Sequence, residues 1–191
     1  MSLTQAELDS FRRQGFNRVP LVAETFSDLE TPLSLYLKLA DAPNSFLLES
    51  VVGGERFGRY SFIGLPARTR LAVRIAPEGC RTTLTRDGQL VETDTGDPLA
   101  FIDAYRRRFR VALRPGFPRF CGGLAGYFGY DTVRVIEKKL AATELPGGID
   151  VPDILLLLTE ELAVVDNLTG KLYLIVYVDP DEPGGLARGE Q

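Results

Sequence analysis

The chain has 191 residues, 45% of them hydrophobic and 25% charged, with a net charge of −4. That composition supports a packed core and excludes a chain disordered throughout, while the acidic balance excludes a general binder of nucleic acid or anionic membrane, which needs a basic surface. Histidine is absent, so no mechanism that needs a His base, nucleophile or metal ligand can run within this chain.

Polar Met1 to Arg13 has no apolar stretch of the kind a secretory signal carries. Glu7 to Gln14 reads as a short helix. Val19 to Phe26 reads as a strand, and Pro20 marks it as an edge. Thr31-Pro32 opens a helix, with Thr31 as N-cap and Pro32 at the first helical position. Its apolar face is predicted from Leu33, Tyr36, Leu37 and Ala40. Ser45 to Val52 and Arg59 to Leu65 read as two strands of a hairpin around the Gly53–Gly58 turn. Further strands are predicted at Arg68 to Ile75, Cys80 to Arg86 and Gln89 to Thr93, with Asp87-Gly88 as the turn between the last two. Asp97-Pro98 starts a helix that buries Leu99, Ile102 and Tyr105. Cys121 to Tyr130 is a glycine- and aromatic-rich strand in close contact with neighbouring backbone. Asp131 to Leu140 is helical and Ala141 to Asp150 a surface loop. Ile154 to Leu158, Glu161 to Asp166 and Lys171 to Val178 are strands, the last two joined by a turn at Asn167 to Gly170.

Strands outnumber helices and most are joined by short turns. The predicted fold is therefore α+β: a mainly antiparallel, sandwich-like sheet with two or three covering helices. Residues 1–18 form an N-terminal extension, 19–178 a domain, and 179–191, which lack an apolar pattern, a linker or tail. No stretch approaches the ~20 apolar residues of a membrane span. Cys80 and Cys121 make neither a zinc pattern nor a disulfide framework, and read as thiols of a cytoplasmic protein.

Most motif candidates have a bland explanation. Gly53 to Gly58 is followed by Arg59-Tyr60, where a phosphate-binding loop needs Lys and then Ser or Thr. Gly123, Gly126 and Gly129 have the wrong spacing for a dinucleotide fingerprint and read as glycines of close packing. The pairs Glu160/Glu161, Asp150/Asp153 and Asp179/Asp181 sit at strand ends and turns, where solvated acids are common. Arg106, Arg107, Arg108 and Arg110 read as a solvated helix end.

The Ser45–Val52 strand is different. Alternation puts Phe46, Leu48, Ser50 and Val52 on one face and Leu47, Glu49 and Val51 on the other. A carboxylate between two apolar residues needs a partner. Two readings stand: an ion pair from Glu49 to Arg59 or Arg56 across the hairpin, or a site for a small zwitterion. An α-amino acid needs an acceptor for its ammonium, donors for its carboxylate and an apolar slot. Glu49, Ser50, Arg59, Ser61 and the neighbouring aromatics supply those groups.

The run Phe46-Leu47-Leu48-Glu49-Ser50, followed by Gly54-Glu55-Arg56-Phe57-Gly58-Arg59-Tyr60-Ser61-Phe62-Ile63-Gly64, resembles the N-terminal domain of anthranilate synthase component I. Gly122-Gly123-Leu124-Ala125-Gly126-Tyr127-Phe128-Gly129-Tyr130-Asp131, with Arg134, Glu137 and Val151-Pro152-Asp153, is similar to a second signature of that domain. The resemblance runs from about Val19 to Val178. It implies a parent polypeptide that converts chorismate and ammonia to anthranilate and pyruvate with Mg²⁺. Ammonia would come from a glutamine amidotransferase subunit, and the chemistry would reside in a C-terminal chorismate-binding domain beyond this chain. The resemblance thus implies no catalytic residue, metal ligand or cofactor here. It implies feedback control instead: L-tryptophan binding by Glu49, Ser50, Arg59, Tyr60 and Ser61. Ser50→Phe or Glu49→Ala should then relieve inhibition and spare turnover, while changes at Leu48 or Phe62 should damage folding. Two rivals are the matching domain of aminodeoxychorismate synthase, in the p-aminobenzoate branch, and a stand-alone amino-acid-binding module.

Overall fold

The structure, a computed structural model, describes residues 3–49, 58–141 and 149–190. In chain order the elements are α1 (Gln5–Arg13), β1 (Val19–Phe26), α2 (Pro32–Leu39), β2 (Phe46–Leu48), β3 (Tyr60–Gly64), β4 (Thr69–Ala76), β5 (Gly79–Arg86), β6 (Gln89–Asp94), α3 (Pro98–Arg106), β7 (Gly123–Phe128), the short helices α4 (Val133–Ile136) and α5 (Lys138–Ala141), β8 (Ile154–Thr159), β9 (Glu161–Asp166), β10 (Lys171–Val178) and α6 (Gly185–Gly189). The strands make two antiparallel five-stranded sheets, and the fold is α+β. Each sheet belongs to its own compact unit. The first unit is Met1–Ala67, Phe109–Gly122 and Thr159–Gln191, and the second is Arg68–Arg108 and Gly123–Leu158.

The first unit's sheet runs β1-β10-β9-β3-β2. β1 pairs with β10 along its whole length, from Val19 opposite Val178 to Phe26 opposite Lys171. Pro20 is tolerated because β1 is an edge, where a missing N–H costs no ladder bond. Alternation gives the sheet two faces. One carries Leu162, Val164 and Ile175, packed against Tyr60, Phe62, Phe117, Phe120, Tyr173 and Tyr177. The other carries Ile63, Ala163, Val165 and Leu172 under Leu35, Tyr36 and Ala40 of the α2 segment. At its far end this second face packs Val19, Leu21 and Val178 against Leu3, Leu8 and Ala112.

Three expectations change here. α2 begins as predicted, with a Thr31/Ser34 capping box and Pro32 in the first turn. Its inward face, however, is Leu35, Tyr36 and Ala40, while Leu33 and Leu37 are 53% and 56% exposed. A helix of eight residues leaves two apolar stripes about equally periodic, and the approach to the sheet decides between them. Of the strand predicted over Ser45 to Val52, the described part is regular at Phe46–Leu48, and Ser50 to Val52 lie outside the described residues; Leu48 is 52% exposed, so it is no core residue. The segments outside the expected 19–178 core also pack on it. Leu3 and Leu8 are buried in it, Leu186 lies against it, and a side chain at Gly189 would strike Leu21 and Val178. One apolar residue suffices to dock a short helix, which is why the 179–191 stretch shows no apolar pattern.

The second unit's sheet runs β6-β5-β4-β8-β7. The β5–β6 hairpin turns on Asp87 and Gly88, both at positive φ (51° and 77°), the geometry that favours an Asp-Gly pair. Asp97 caps α3 by accepting from the N–H groups of Leu99 and Ala100, and Tyr105 is buried below it. The arginines that follow are consumed by acids. Arg106 and Arg107 both reach Asp103, and Arg108 forks onto Glu92.

β7 lies so close to β8 that a Cβ on Gly126 would sit 1.9 Å from the Leu155 carbonyl oxygen. Glycine is required there by space. Gly129 donates its N–H to the Asp153 carbonyl at 2.7 Å, and Tyr127 donates its hydroxyl to the Pro152 carbonyl at 2.9 Å. The Asp153 carboxylate accepts from the Ile75 N–H at 2.6 Å, and Arg134 pairs with Asp131. The second signature thus holds β4, β7 and β8 in place.

Candidate functional site

The β2–β3 pair has Phe46 opposite Gly64, Leu47 opposite Ile63 and Leu48 opposite Phe62. The ring of Phe46 lies over Gly64, where any side chain would collide with it at 2.2 Å. Glu49 follows directly on the last paired residue of β2, and Tyr60 stands two residues before that residue's partner. Glu49 is exposed and has no ion-pair partner among the described residues. Ser50 and Arg56 lie outside the described residues.

Arg59 does not pair with Glu49. Its guanidinium grips Asp166, with Nη2 to Oδ2 at 3.0 Å and Nε to Oδ2 at 3.3 Å. The two ends of this pair differ. The Asp166 side chain is 1% exposed and that of Arg59 is 55% exposed. Burial pushes the Asp166 carboxyl up, but hydrogen bonds from Arg59, the Leu168 N–H and Thr169 outweigh it and hold it below the usual range. Arg59 is held above its own ordinary value, chiefly by the hydrogen bond to Asp166. Its Nη1 makes no hydrogen bond among the described residues, so one edge of the fork remains open.

The guanidinium also lies over the Tyr60 ring, 4.8 Å from its centroid. Tyr60 in turn leans on Phe62, at 6.1 Å between centroids, and Phe62 meets Phe120 edge-on at 5.5 Å. Arg59 and Tyr60 therefore form a cationic and aromatic corner. Ser61 faces the other way. It is buried with Ile63 on the opposite face, and its Oγ accepts from Asn167 Nδ2 at 3.1 Å. The structure brings Arg59 and Tyr60 together and turns Ser61 from them.

Two residues that shape this corner escaped the sequence reading. Asn167 donates its backbone N–H to the Arg59 carbonyl at 2.7 Å and its side-chain amide to the Gly58 carbonyl at 3.1 Å. Asp166 and Asn167 together fix the entry to β3. The signal was the Asp-Asn pair opening the β9–β10 turn, a place where such residues bind nearby backbone.

In the other acidic pairs, every member but Glu161 is engaged structurally. Glu160 and Asp179 both hold Arg18, at 2.7 and 2.9 Å, Asp181 holds Arg12, and Asp150 holds Arg74. Among the described residues no group of three His, Cys, Asp or Glu could hold a metal ion. No helix among them is long and apolar enough to cross a membrane.

Comparison with known proteins bears on what the chain is similar to. No protein-family model matches the chain. Anthranilate synthase component 1 of Neisseria meningitidis is 50% identical over 192 residues, which cover 99% of this chain and 38% of that protein. The Pseudomonas putida protein of the same name is 52% identical over 177 residues, 92% of this chain and 35% of its own length. That of Acinetobacter calcoaceticus is 36% identical over 192 residues. A solved structure of anthranilate synthase component I from Streptococcus pneumoniae superposes with a TM-score of 0.50 over 85% of this chain and 33% of its own, at 20% identity, which bears on the fold alone. The chain thus spans little more than a third of the relatives' length, at their N-terminal part. At that identity over nearly all of its residues, the chain is a relative of anthranilate synthase component 1 and corresponds to its N-terminal part.

Proposed function

We propose that this chain is the regulatory, non-catalytic part of an anthranilate synthase component I polypeptide, and that it takes up L-tryptophan at the Glu49 end of the β2–β3 hairpin. The observation that carries the reading is the Arg59–Tyr60 corner. A guanidinium anchored on one side by a buried acid leaves Nη1 for a carboxylate, and it lies against an aromatic ring continuous with Phe62 and Phe120. Glu49, unpartnered among the described residues, supplies the acceptor for an ammonium. Ser50, by family resemblance, adds a hydroxyl. Ser61 contributes by keeping Asn167 on the strand entry.

The rest of the polypeptide would then convert chorismate to anthranilate, with Mg²⁺ and with ammonia from a glutamine amidotransferase subunit. No step of that reaction falls to the residues of this chain. Tryptophan would act by binding one arrangement of the polypeptide more tightly than another, and its effect is bounded by that difference.

The test is anthranilate formation by the full-length polypeptide with increasing L-tryptophan. Glu49→Ala and Arg59→Ala should raise the tryptophan concentration needed for half inhibition by about tenfold, the weight of one lost charged contact, with turnover without tryptophan retained. Equal loss of turnover and inhibition would overturn the proposal. Formation of aminodeoxychorismate in place of anthranilate would move the chain to the p-aminobenzoate branch.

A further inference from the structure

Arg59 is held at both ends by a single turn. The β3–β9 ladder begins at Tyr60 opposite Asp166, so Gly58 and Arg59 lie beyond its last pair. The β9–β10 turn reaches past that pair to hold them. Asn167 donates its backbone N–H to the Arg59 carbonyl at 2.7 Å. Its side-chain amide donates to the Gly58 carbonyl and to Ser61 Oγ, both at 3.1 Å. Asp166 accepts from the guanidinium at the far end of the same residue, at 3.0 Å. The turn is itself closed. Gly170 donates its N–H to the Asp166 carbonyl at 2.8 Å, and Leu168 donates its N–H to Asp166 Oδ1 at 3.1 Å. Gly170 supplies the positive φ, 65°, that lets the chain turn back into β10.

We propose that Asn167 is a positioning residue for the tryptophan response: by fixing the main chain at Gly58 and Arg59, it sets where the open edge of the guanidinium points. The inference rests on the reading of Arg59 as the group that receives the tryptophan carboxylate. An arginine side chain has many rotamers, and binding through a free one forfeits that freedom. Here the root of the side chain is fixed through Asn167 and its tip through Asp166, so the remaining edge is set before a ligand arrives. The two residues differ in what their loss would do. Removing the Asp166 carboxylate changes the charge around Arg59 as well as its position. The Asn167 side chain is neutral, so its loss changes position alone. Its backbone bond to Arg59 survives most substitutions, and its side-chain bond to Gly58 needs a donor of this length. Asn167 is exposed on the turn, so replacing it opens no core.

The experiment measures anthranilate formation by the full-length polypeptide against L-tryptophan for Asn167→Ala, Arg59→Ala and the two together. Asn167→Ala alone should raise the tryptophan concentration for half inhibition about three- to tenfold, the weight of a neutral hydrogen bond. In the Arg59→Ala background the same substitution should add less than about twofold, because the group it positions is gone. Asn167→Asp keeps the size of the side chain but sets a carboxylate oxygen against the Gly58 carbonyl, so it should weaken inhibition at least as much. Full additivity in the double variant would overturn the proposal. So would uninhibited turnover that falls as far as the inhibition does, since the role would then be structural. Wild-type inhibition in both Asn167 variants, beside a shifted Arg59→Ala, would overturn it and leave the reading of Arg59 standing. Wild-type inhibition in Arg59→Ala would remove that reading and this inference with it.

Discussion

The two signature segments of this chain are used in opposite ways. In Gly123–Asp131 with Pro152-Asp153, each polar group discussed above ends on another part of the second unit. Gly126 admits the β8 backbone, Gly129 and Tyr127 bond to the Asp153 and Pro152 carbonyls, and Asp153 closes onto Ile75. Among the described residues from Phe46 to Gly64, Leu47, Phe62 and Ile63 are spent on the core while Glu49 and one edge of Arg59 are not. A motif whose polar groups hold neighbouring strands together explains a fold. One that leaves charges unsatisfied beside an aromatic surface invites a ligand.

That contrast can be broken by substitution. Gly126→Ala should have the largest effect. The new methyl collides with a backbone carbonyl that cannot move without opening β7 from β8, and a loss of at least about 3 kcal/mol is expected, the upper end of overpacking costs. Thermal unfolding measures it, and a variant of unchanged stability would mean that the close approach is not required. Phe62→Ala removes a half-buried ring from the aromatic face and should cost about 2–3 kcal/mol, less than for a fully enclosed phenylalanine. Here urea unfolding is the measurement.

Asp166→Asn should cost about 1–2 kcal/mol near neutral pH, because Asn cannot supply the charge that Arg59 meets. The pH dependence sharpens this. The Asp166 carboxyl is held below its ordinary value, so its contribution is fully present above about pH 4 and fades as pH falls through the lower folded value. The stabilities of the wild type and Asp166→Asn should therefore converge in acid. A gap that persists at low pH would place the effect in packing rather than charge.

The smallest expected change in stability is at Glu49. Glu49→Ala should lie within about 0.5 kcal/mol of wild type, as for other exposed sites without partners, while altering the tryptophan response. Should it destabilise the protein as much as Gly126→Ala does, the first segment would be structural too, and the contrast between the segments would vanish.

How much of this was legible beforehand varies by residue. Thr31-Pro32, Asp87-Gly88 and Asp97-Pro98 act through neighbours one to three residues away, and the structure shows each doing what its local chemistry dictates. The close approach at Gly126 was legible as glycine spacing, although its partner, the Leu155 carbonyl, was not. Leu33 and Leu37 were misassigned to the buried face, because periodicity reveals that a stripe exists and not which stripe meets the sheet. The Glu49–Arg59 pair suggested by hairpin spacing gave way to Arg59–Asp166, a contact 107 residues apart in the chain.

By itself the sequence determined most of the strands, the capped starts of α2 and α3, the α+β class and the likeness to anthranilate synthase component 1, because turns, caps and strand alternation are short-range and the motifs are contiguous. Only the tertiary structure decided that Asp166 and Asn167 hold the entry to β3, that the Arg59 guanidinium lies over Tyr60, and that Leu186 docks the last described helix on the core. Each of these depends on strands brought together from distant parts of the chain, and no local pattern records which strand becomes a neighbour.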